Sequence, residues 1–152
     1  MIGPVAAFGR KAKLPNAEKL QRMYELINMG DVDGFVDYLS EDFVDHEPGP
    51  GIELTKAGAK DFFKTLLAAF PDVRFDTEDI VESGDKLAAR ARVTGTNKGD
   101  FFGIPASGKR VDVEAIDILR FGDDGLVHEH WGVMDMMSMM QQLGVVPPPP
   151  PA

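Results

Sequence analysis

The chain has 152 residues, carries a formal net charge of −9 and contains no cysteine. This length suits one ordinary domain with a real core, and the negative charge makes nucleic acid and anionic membranes poor partners. Without cysteine there is no disulfide, thiol nucleophile or thiolate metal site. No apolar run approaches the roughly 20 residues that span a bilayer, and the first residues lack the apolar core of a signal peptide. We therefore expect a cytoplasmic protein.

Helical patterns dominate the first part of the chain. Residues 1–15 are irregular and basic, which predicts a flexible arm. A helix is predicted from the candidate cap Asn16 to the stop signal Gly30, and a shorter helix follows Asp31. A short strand over 41–46 then runs into a loop rich in proline and glycine.

Strand patterns follow a third helix, which Thr55 is expected to cap and Pro71 to end. Helices therefore precede antiparallel strands, an order typical of an α+β fold in which helices pack on the concave face of a curved, mainly antiparallel sheet. The folded domain is predicted over 16–146, and the proline-rich tail 147–152 is predicted to be an extended, disordered end. The four strands are predicted over 73–81, 86–96, 110–121 and 126–135.

The segment from 127 to 144 carries the strongest chemical signal. Alternate residues of a strand share a face, so Trp131 and Asp135 point one way and His130 points the other. From Met136 the spacing of methionines predicts a short buried helix. A carboxylate beside tryptophan and methionine would be poorly hydrated, which raises its pKa and makes it a usable proton acceptor. Asp135 is thus a candidate base, and equally a candidate N-cap of the short helix.

Short motifs lie in a fixed order between residues 16 and 144. They are Phe43-Val44-Asp45-His46, Ala69-Phe70-Pro71-Asp72, Ser83-Gly84-Asp85 with Arg90, Gly95-Thr96, Gly99-Asp100-Phe101-Phe102-Gly103-Ile104-Pro105 with Gly108-Lys109, Asp124-Gly125, Glu129-His130-Trp131 with Asp135, and Gln142-Leu143-Gly144. In this order and spacing the chain resembles the SnoaL-like polyketide cyclases of the NTF2-like superfamily, which have a cone-shaped α+β fold. Two features depart from that group: Asn97 stands where histidine is frequent, and the proline tail is additional.

This resemblance implies a deep pocket between the sheet and the helices. In the characterised cyclases an aspartate on the last strand acts as general acid/base, and by motif position that aspartate is Asp135 here. It removes a proton next to a carbonyl group, and an intramolecular aldol condensation closes a ring. The resemblance implies that no metal or organic cofactor takes part.

Three further polar residues are candidates for the same site. His46 could donate a hydrogen bond to the substrate carbonyl oxygen, or it could be a surface or capping histidine. Arg90 could bind a substrate carboxylate or phenolate, or it could face solvent. Asp117 would be a second acid if the face it shares with Ala115 and Leu119 looks inward, and a solvated residue if that face looks outward.

The predicted ligand site is a mainly apolar cavity. Trp131, Phe62 and Phe101 are expected to line it together with some of the C-terminal methionines, because methionine is flexible and polarisable. Glu129 shares the strand face of Trp131 and is a further candidate for substrate binding. A buried glutamate needs a partner, which Arg90 or Arg92 could supply. The expected partner is a small hydrophobic organic ligand.

The remaining histidines do not predict a metal site. His128 and His130 share a strand face, Glu129 opposes them and His46 is distant, so the ligands are too few. A position on the protein surface, or a contact between the sheets of two copies of the chain, explains these histidines better. Apolar residues such as Ile116 occur on one face of the strands, and the opposite face is apolar as well. In a sheet with one solvated face, apolar and polar residues would alternate more cleanly along each strand. We therefore expect a homodimer that forms through the sheet.

The sequence thus predicts an enzyme that uses an aspartate for aldol-type ring closure, or a related proton transfer, on a small hydrophobic carbonyl substrate. Two alternatives stay open: a non-catalytic protein that binds a small hydrophobic ligand, and an epoxide hydrolase or isomerase of the same fold. The surroundings of Asp135 discriminate between enzyme and binder, because a base must be desolvated and reachable from the pocket, whereas a cap is turned away.

Overall fold

The computed structural model describes residues 14–152, so that nearly all of the predicted arm 1–15 lies outside the described residues. Four helices and five strands are formed by these residues. In chain order they are α1 (Asn16–Asn28), α2 (Val32–Val36), β1 (Leu39–Asp45), α3 (Lys56–Ala69), β2 (Arg74–Ser83), β3 (Lys86–Thr96), β4 (Arg110–Phe121), β5 (Val127–Met134) and α4 (Met136–Gln142).

The helix starts follow ordinary capping chemistry with one exception. Thr55 caps α3 as predicted, since its hydroxyl accepts the backbone N–H of Gly58, and Asp31 caps α2 by accepting the N–H of Gly34. The exception is α1, where Asn16 is the first helical residue rather than the cap. None of the helices in residues 14–152 combines the length and the apolar character needed to cross a bilayer.

The five strands form one mixed sheet in the order β1-β5-β4-β3-β2. The β2–β3, β3–β4 and β4–β5 pairs are antiparallel, and β1 runs parallel to β5. The helices pack on one face of this sheet, which we call the inner face. The predicted α+β cone is confirmed.

Helix α1 is fixed to the sheet at both of its ends. Near its C-terminus the Asn28 amide makes two hydrogen bonds with the backbone of Phe75 on β2, at 2.7 and 3.1 Å. Near its N-terminus the buried ammonium of Lys19 donates to the carbonyl oxygen of Gly125, in the turn between β4 and β5, at 2.9 Å. Tyr24, midway along the helix, is thereby held over the inner face of the sheet.

The inner face of the central strands carries unusually small residues. Ala89 and Ala91 on β3 and Ala115 on β4 are all buried there, and Gly132 on β5 pairs with Asp117 on the same face. Because these inner-face residues are small, the space between the layers is not filled. The cavity described below occupies it.

The proline-rich tail adds no element to this fold. Residues 147–152 have no regular secondary structure and are exposed. Helix α4 is thus the last element of regular structure, and the domain limit at residue 146 stays a prediction.

Candidate active site

A cavity of about 490 Å³ lies between the helices and the inner face of the sheet. Its wall is mainly aromatic and aliphatic. Phe62 on α3 and Phe101 in the loop between β3 and β4 both contribute to it, in the places expected for them. Other ring-bearing and apolar wall residues are Phe35, Phe43, Phe63, Phe75, Phe102, Leu20, Leu39 and Leu119.

Four of the polar side chains in this wall are hydrogen-bonded in a row that we call the polar chain. They are Tyr24 from α1, Asp117 from β4, His130 from β5 and Asp45 from β1. His130 lies in the middle: its Nε2 is 2.8 Å from Asp117 Oδ1, and its Nδ1 is 2.9 Å from Asp45 Oδ1. The Tyr24 hydroxyl donates to the other oxygen of Asp117. Four separate elements therefore converge on one row of acid and base groups.

Sheet pairing places the members of the polar chain side by side. Asp45 is paired with His130 across the parallel β1–β5 contact. Asp117 is paired with Gly132, two residues beyond His130 on the same face. A Cβ on Gly132 would lie 2.6 Å from His130 Nε2 and 2.9 Å from Asp117 Oδ1. Glycine at this position thus leaves the room in which the imidazole and the carboxylate meet.

The polar chain holds His130 in its protonated form. Burial by itself lowers the pKa of an imidazole, but the hydrogen bonds and negative charges of Asp117 and Asp45 outweigh it and raise the pKa of His130 to about 10. Both ring nitrogens then donate, one to each carboxylate. At neutral pH the Tyr24 phenol is therefore neutral, the His130 imidazole is charged and Asp45 is ionised.

The flanking groups respond to the same interactions. Burial would raise the pKa of Asp45, yet the hydrogen bond and charge of His130, with the backbone N–H of Glu47, hold it below its ordinary value. Burial and the neighbouring Asp117 charge raise the pKa of the Tyr24 hydroxyl far above its ordinary value, so it stays a donor. The side chains of Asp117 and Asp45 are 18% and 13% exposed. Since both line the cavity, a ligand there can reach them.

Asp135 does not lie in this cavity, and the expectation that it is buried there is wrong. It is the N-cap of α4, where it accepts the backbone N–H of Ser138 at 3.0 Å and the Ser138 hydroxyl at 2.6 Å. These hydrogen bonds lower its pKa, the opposite of what a base at neutral pH requires. Asp135 instead borders a separate, polar depression beside Arg90 and Asp112. The catalytic role predicted for it remains untested, and this position argues against it.

The faces of β5 are the reverse of those expected. Trp131 is paired with Ile118 on the outer face of the sheet, where Lys86 lies over its ring at 5.3 Å. His130 is paired with Leu119 and points inward. Trp131 is therefore not part of the cavity wall. Side chains alternate between the two faces of a strand. One residue assigned to the wrong face therefore reverses the face assignment of all residues of that strand.

The other predicted site residues divide between the two faces. Asp117 lies inside, on the same inner face as Ala115 and Leu119. His46 lies outside: its ring stacks on Trp131 at 4.7 Å, and its Nε2 is 3.2 Å from Glu129.

Glu129 lies on the outer face, and the partner foreseen for it was wrong. It accepts a hydrogen bond from Arg120 rather than from Arg90. Arg90 pairs with Glu114 at 2.9 Å on the outer face and is exposed. Neither residue borders the cavity, so neither can contact a ligand there.

Comparison with known proteins agrees with this architecture. The sequence profile of the SnoaL-like polyketide cyclases matches residues 17–143. The chain belongs to this family. Its curated relatives include the aklanonic acid methyl ester cyclases AcmA of Streptomyces galilaeus, 28% identical over 82% of this chain and 88% of that protein, and DnrD of Streptomyces peucetius, 28% identical over 86% and 92%.

Solved structures with the same fold include those of two Streptomyces proteins. TsrD of Streptomyces laurentii is 31% identical, with a TM-score of 0.76 over 88% of this chain and all of its own. AclR of Streptomyces galilaeus, provisionally assigned as a hydroxylase, is 31% identical, with a TM-score of 0.78 over 88% of this chain and 83% of its own. The proteins that resemble this SnoaL-like chain are therefore named for different reactions, since AcmA and DnrD are named as cyclases and AclR as a hydroxylase.

Sequence reasoning missed three members of the polar chain. Tyr24 reads as one more residue of the apolar stripe of α1, Asp45 as part of a strand end, and His130 as a surface residue. One signal was available for Asp117: it alternates with Ala115 and Leu119, so the three share a face. Among residues 14–152 no three histidine or carboxylate side chains are arranged to hold a metal ion.

Proposed function

We propose that this SnoaL-like protein is a cyclase that closes a ring by an intramolecular aldol-type reaction on a small hydrophobic carbonyl compound. One observation carries the proposal: two carboxylates bridged by a protonated histidine open onto an apolar cavity. The names of three curated relatives, each an aklanonic acid methyl ester cyclase, support this class of reaction.

Asp117 is assigned as the group that takes the proton. It removes a proton from the carbon next to a substrate carbonyl, and the resulting enolate carbon forms a bond to a second carbonyl carbon of the same molecule. The oxygen of that second carbonyl becomes an alkoxide and takes back one proton, so that no atom or electron is gained or lost. General acid–base catalysis of this kind contributes about 10²–10⁴-fold to a rate. No external oxidant or reductant is required.

His130 and Tyr24 are assigned to orienting and stabilising roles. Each donates a hydrogen bond to one oxygen of Asp117, which fixes the plane of the carboxylate towards the cavity. The positive charge of His130 stabilises the enolate, and a fixed charge is most effective where water is excluded. Asp45 accepts the other imidazole N–H and keeps His130 protonated.

The decisive experiment compares two aspartate-to-asparagine variants. Wild type, Asp117→Asn and Asp135→Asn are incubated with aklanonic acid methyl ester and with a panel of 1,3-diketones. Ring closure is followed by chromatography, and exchange of the α-proton for deuterium is followed by NMR. We expect Asp117→Asn to lose about 10²-fold or more of the rate. Asp135→Asn keeps most of the capping ability and should retain turnover.

The same experiment separates this proposal from its competitors. If Asp135→Asn abolishes turnover and Asp117→Asn does not, the assignment of Asp117 is overturned and the role predicted from the sequence is restored. If the wild type binds these ketones but neither cyclises them nor exchanges their α-protons, the non-catalytic ligand-binding alternative replaces the enzyme.

We also propose that two copies associate through the outer face of the sheet. An apolar patch on neighbouring strands supports this, formed by Val81, Ala88, Ile116, Ile118, Trp131 and Val133. Val133 is 65% exposed and Ile116 44%. Ion pairs between Arg90 and Glu114 and between Arg120 and Glu129 flank the patch. A two-fold axis would bring each patch against the same patch of the other copy.

Sedimentation velocity at micromolar concentration tests this association. The wild type should sediment as a dimer, and Val133→Lys should sediment as a monomer. Met29→Lys is the matched control, since Met29 is similarly exposed at 63% but lies at the end of α1. A monomeric wild type would overturn the proposal.

A further inference from the structure

The loop between β3 and β4 contains a turn with an unexpected residue. Phe101 and Ile104 exchange two backbone hydrogen bonds of 2.9 and 3.0 Å, which makes Phe102 and Gly103 the central pair of a two-residue hairpin. Both have positive φ angles, 49° and 87°. Turns of this kind strongly favour Asn-Gly, Asp-Gly or Gly-Gly, because the left-handed region is unfavourable for other residues. Phe102 therefore opposes the local backbone preference.

Phe102 is the only residue other than glycine with a positive φ angle among residues 14–152. An unfavourable backbone conformation persists where the surroundings enforce it, and such positions are concentrated at functional sites. The strain therefore motivates a closer look at what the Phe102 side chain contacts.

The ring of Phe102 lies at the rim of the cavity. It lines the cavity together with Glu47 and Pro50, which are both exposed. Its centroid is 6.1 Å from that of Phe62 and 4.9 Å from that of Phe101. The rim is thus where the aromatic wall meets solvent.

The opposite side of this rim is a glycine. A Cβ on Gly49 would lie 2.9 Å from Cζ of Phe102 and 3.1 Å from Cδ2 of Phe62. The 47–51 loop therefore approaches the two rings as closely as a backbone without a side chain allows. Any larger residue at Gly49 would have to displace the ring of Phe102.

The base of the hairpin is firmly attached to the domain. Asn97 is completely buried, donates from its side chain to the carbonyl oxygen of Gly99 at 2.8 Å, and accepts from the backbone N–H and hydroxyl of Ser107 at 2.8 and 2.9 Å. Phe101 is also buried, against Phe70. The position of the Phe102 ring is therefore set by a fixed loop.

We propose that Phe102 is a specificity-determining residue: its ring, in contact with the backbone at Gly49, limits the space at the rim of the cavity, so that flat ring systems bind there better than globular ones of similar size. This inference rests on the proposed function only in taking the cavity as the ligand site. It does not depend on which residue carries the chemistry.

The test compares two ketones with the same number of carbon atoms, flat 1-tetralone and globular 2-adamantanone. Their dissociation constants are measured by titration calorimetry on the full chain. The variant Phe102→Asn removes the ring and places a residue that the turn favours, so the fold should be at least as stable. We expect the preference for 1-tetralone over 2-adamantanone to fall about tenfold, in the lower range of discrimination by pocket shape.

Gly103→Asn is the matched control. It places asparagine at the neighbouring position of the same turn, where a Cβ would meet nothing within 4 Å but the φ angle of 87° is unfavourable, so circular dichroism first checks that the variant is folded. This variant should keep the wild-type preference. Gly49→Ala provides a second test, because its methyl group would displace the Phe102 ring and should therefore change the preference between the two ketones.

The inference is overturned if folded Phe102→Asn has the wild-type preference, if Gly103→Asn changes it equally, or if the wild type binds neither ketone. Since binding is measured without turnover, loss of the Asp117 assignment would leave this result unaffected. A failure of the rim inference would likewise leave the proposed chemistry standing.

Discussion

Removing His130 should change how the stability of the protein depends on pH. In the native structure the imidazolium donates to two carboxylates, and its pKa is raised to about 10. In the unfolded chain it returns to its ordinary value near 6.5. A group whose native pKa is raised stabilises the fold fully below the unfolded value, and this stabilisation is lost as pH rises through the native value. The variant His130→Gln has no such group.

The size of the effect follows from the difference between the two pKa values. Between about pH 6.5 and 10 the native state holds one proton more than the unfolded state, so its free energy of unfolding falls by about 1.4 kcal/mol per pH unit. The whole contribution is then about 5 kcal/mol at most.

Urea denaturation of wild type and His130→Gln between pH 6 and pH 10.5 measures this contribution. The difference between their free energies of unfolding should shrink steadily as pH rises, while the effects of titrating groups that do not contact His130 cancel. NMR of the imidazole nitrogens follows the proton of His130 directly. A difference that stays constant with pH, or an imidazole that titrates near its ordinary value, would refute the reasoning.

Three further substitutions test the surroundings of the site. Gly132→Ala places a methyl group between His130 and Asp117. We expect the free energy of unfolding to fall by about 1.5–3 kcal/mol, the range for a hydrogen bond to a charged group, and the pKa of His130 measured by NMR to be lower. An unchanged pKa of His130 would contradict this. Asn97→Ala leaves buried hydrogen-bonding groups of its loop without a partner, so the free energy of unfolding should fall by about 1–3 kcal/mol, and wild-type stability would show that the loop is held by other contacts. Asp135→Ala removes the α4 cap and should cost about 0.5–2 kcal/mol without changing ligand affinity in calorimetry, and a large loss of affinity would argue against its assignment as a cap alone.

Much of the fold follows from local patterns. The Thr55 cap, the helix stop at Gly30 and the alternating strands each depend on a few neighbouring residues, and the structure contains them within a few residues of their predicted limits. Family motifs spread along the chain led to the SnoaL-like cyclases, which the sequence profile confirms. Such features are encoded locally, and therefore a single sequence is enough to infer them.

The candidate site is different, because its members come from four separate elements. Hydrophobicity could not select the inner face of β5: the outer face is itself apolar, with Ile116, Ile118 and Trp131 on adjacent strands. The large tryptophan pointed to the wrong side. What marks the inner face is small residues, such as Ala115, that leave the cavity open.

The order of the elements, the alternation along each strand and the family can all be inferred from the amino-acid sequence. Which of the two alternating sets faces the helices, and thus that His130 rather than Trp131 lies inside, is fixed only in the folded protein. The two sets are equivalent in the sequence because a period of two is symmetric with respect to the two faces of a sheet. That symmetry is broken by contacts far apart in the chain, such as the hydrogen bonds that join His130 to Asp45 and Asp117.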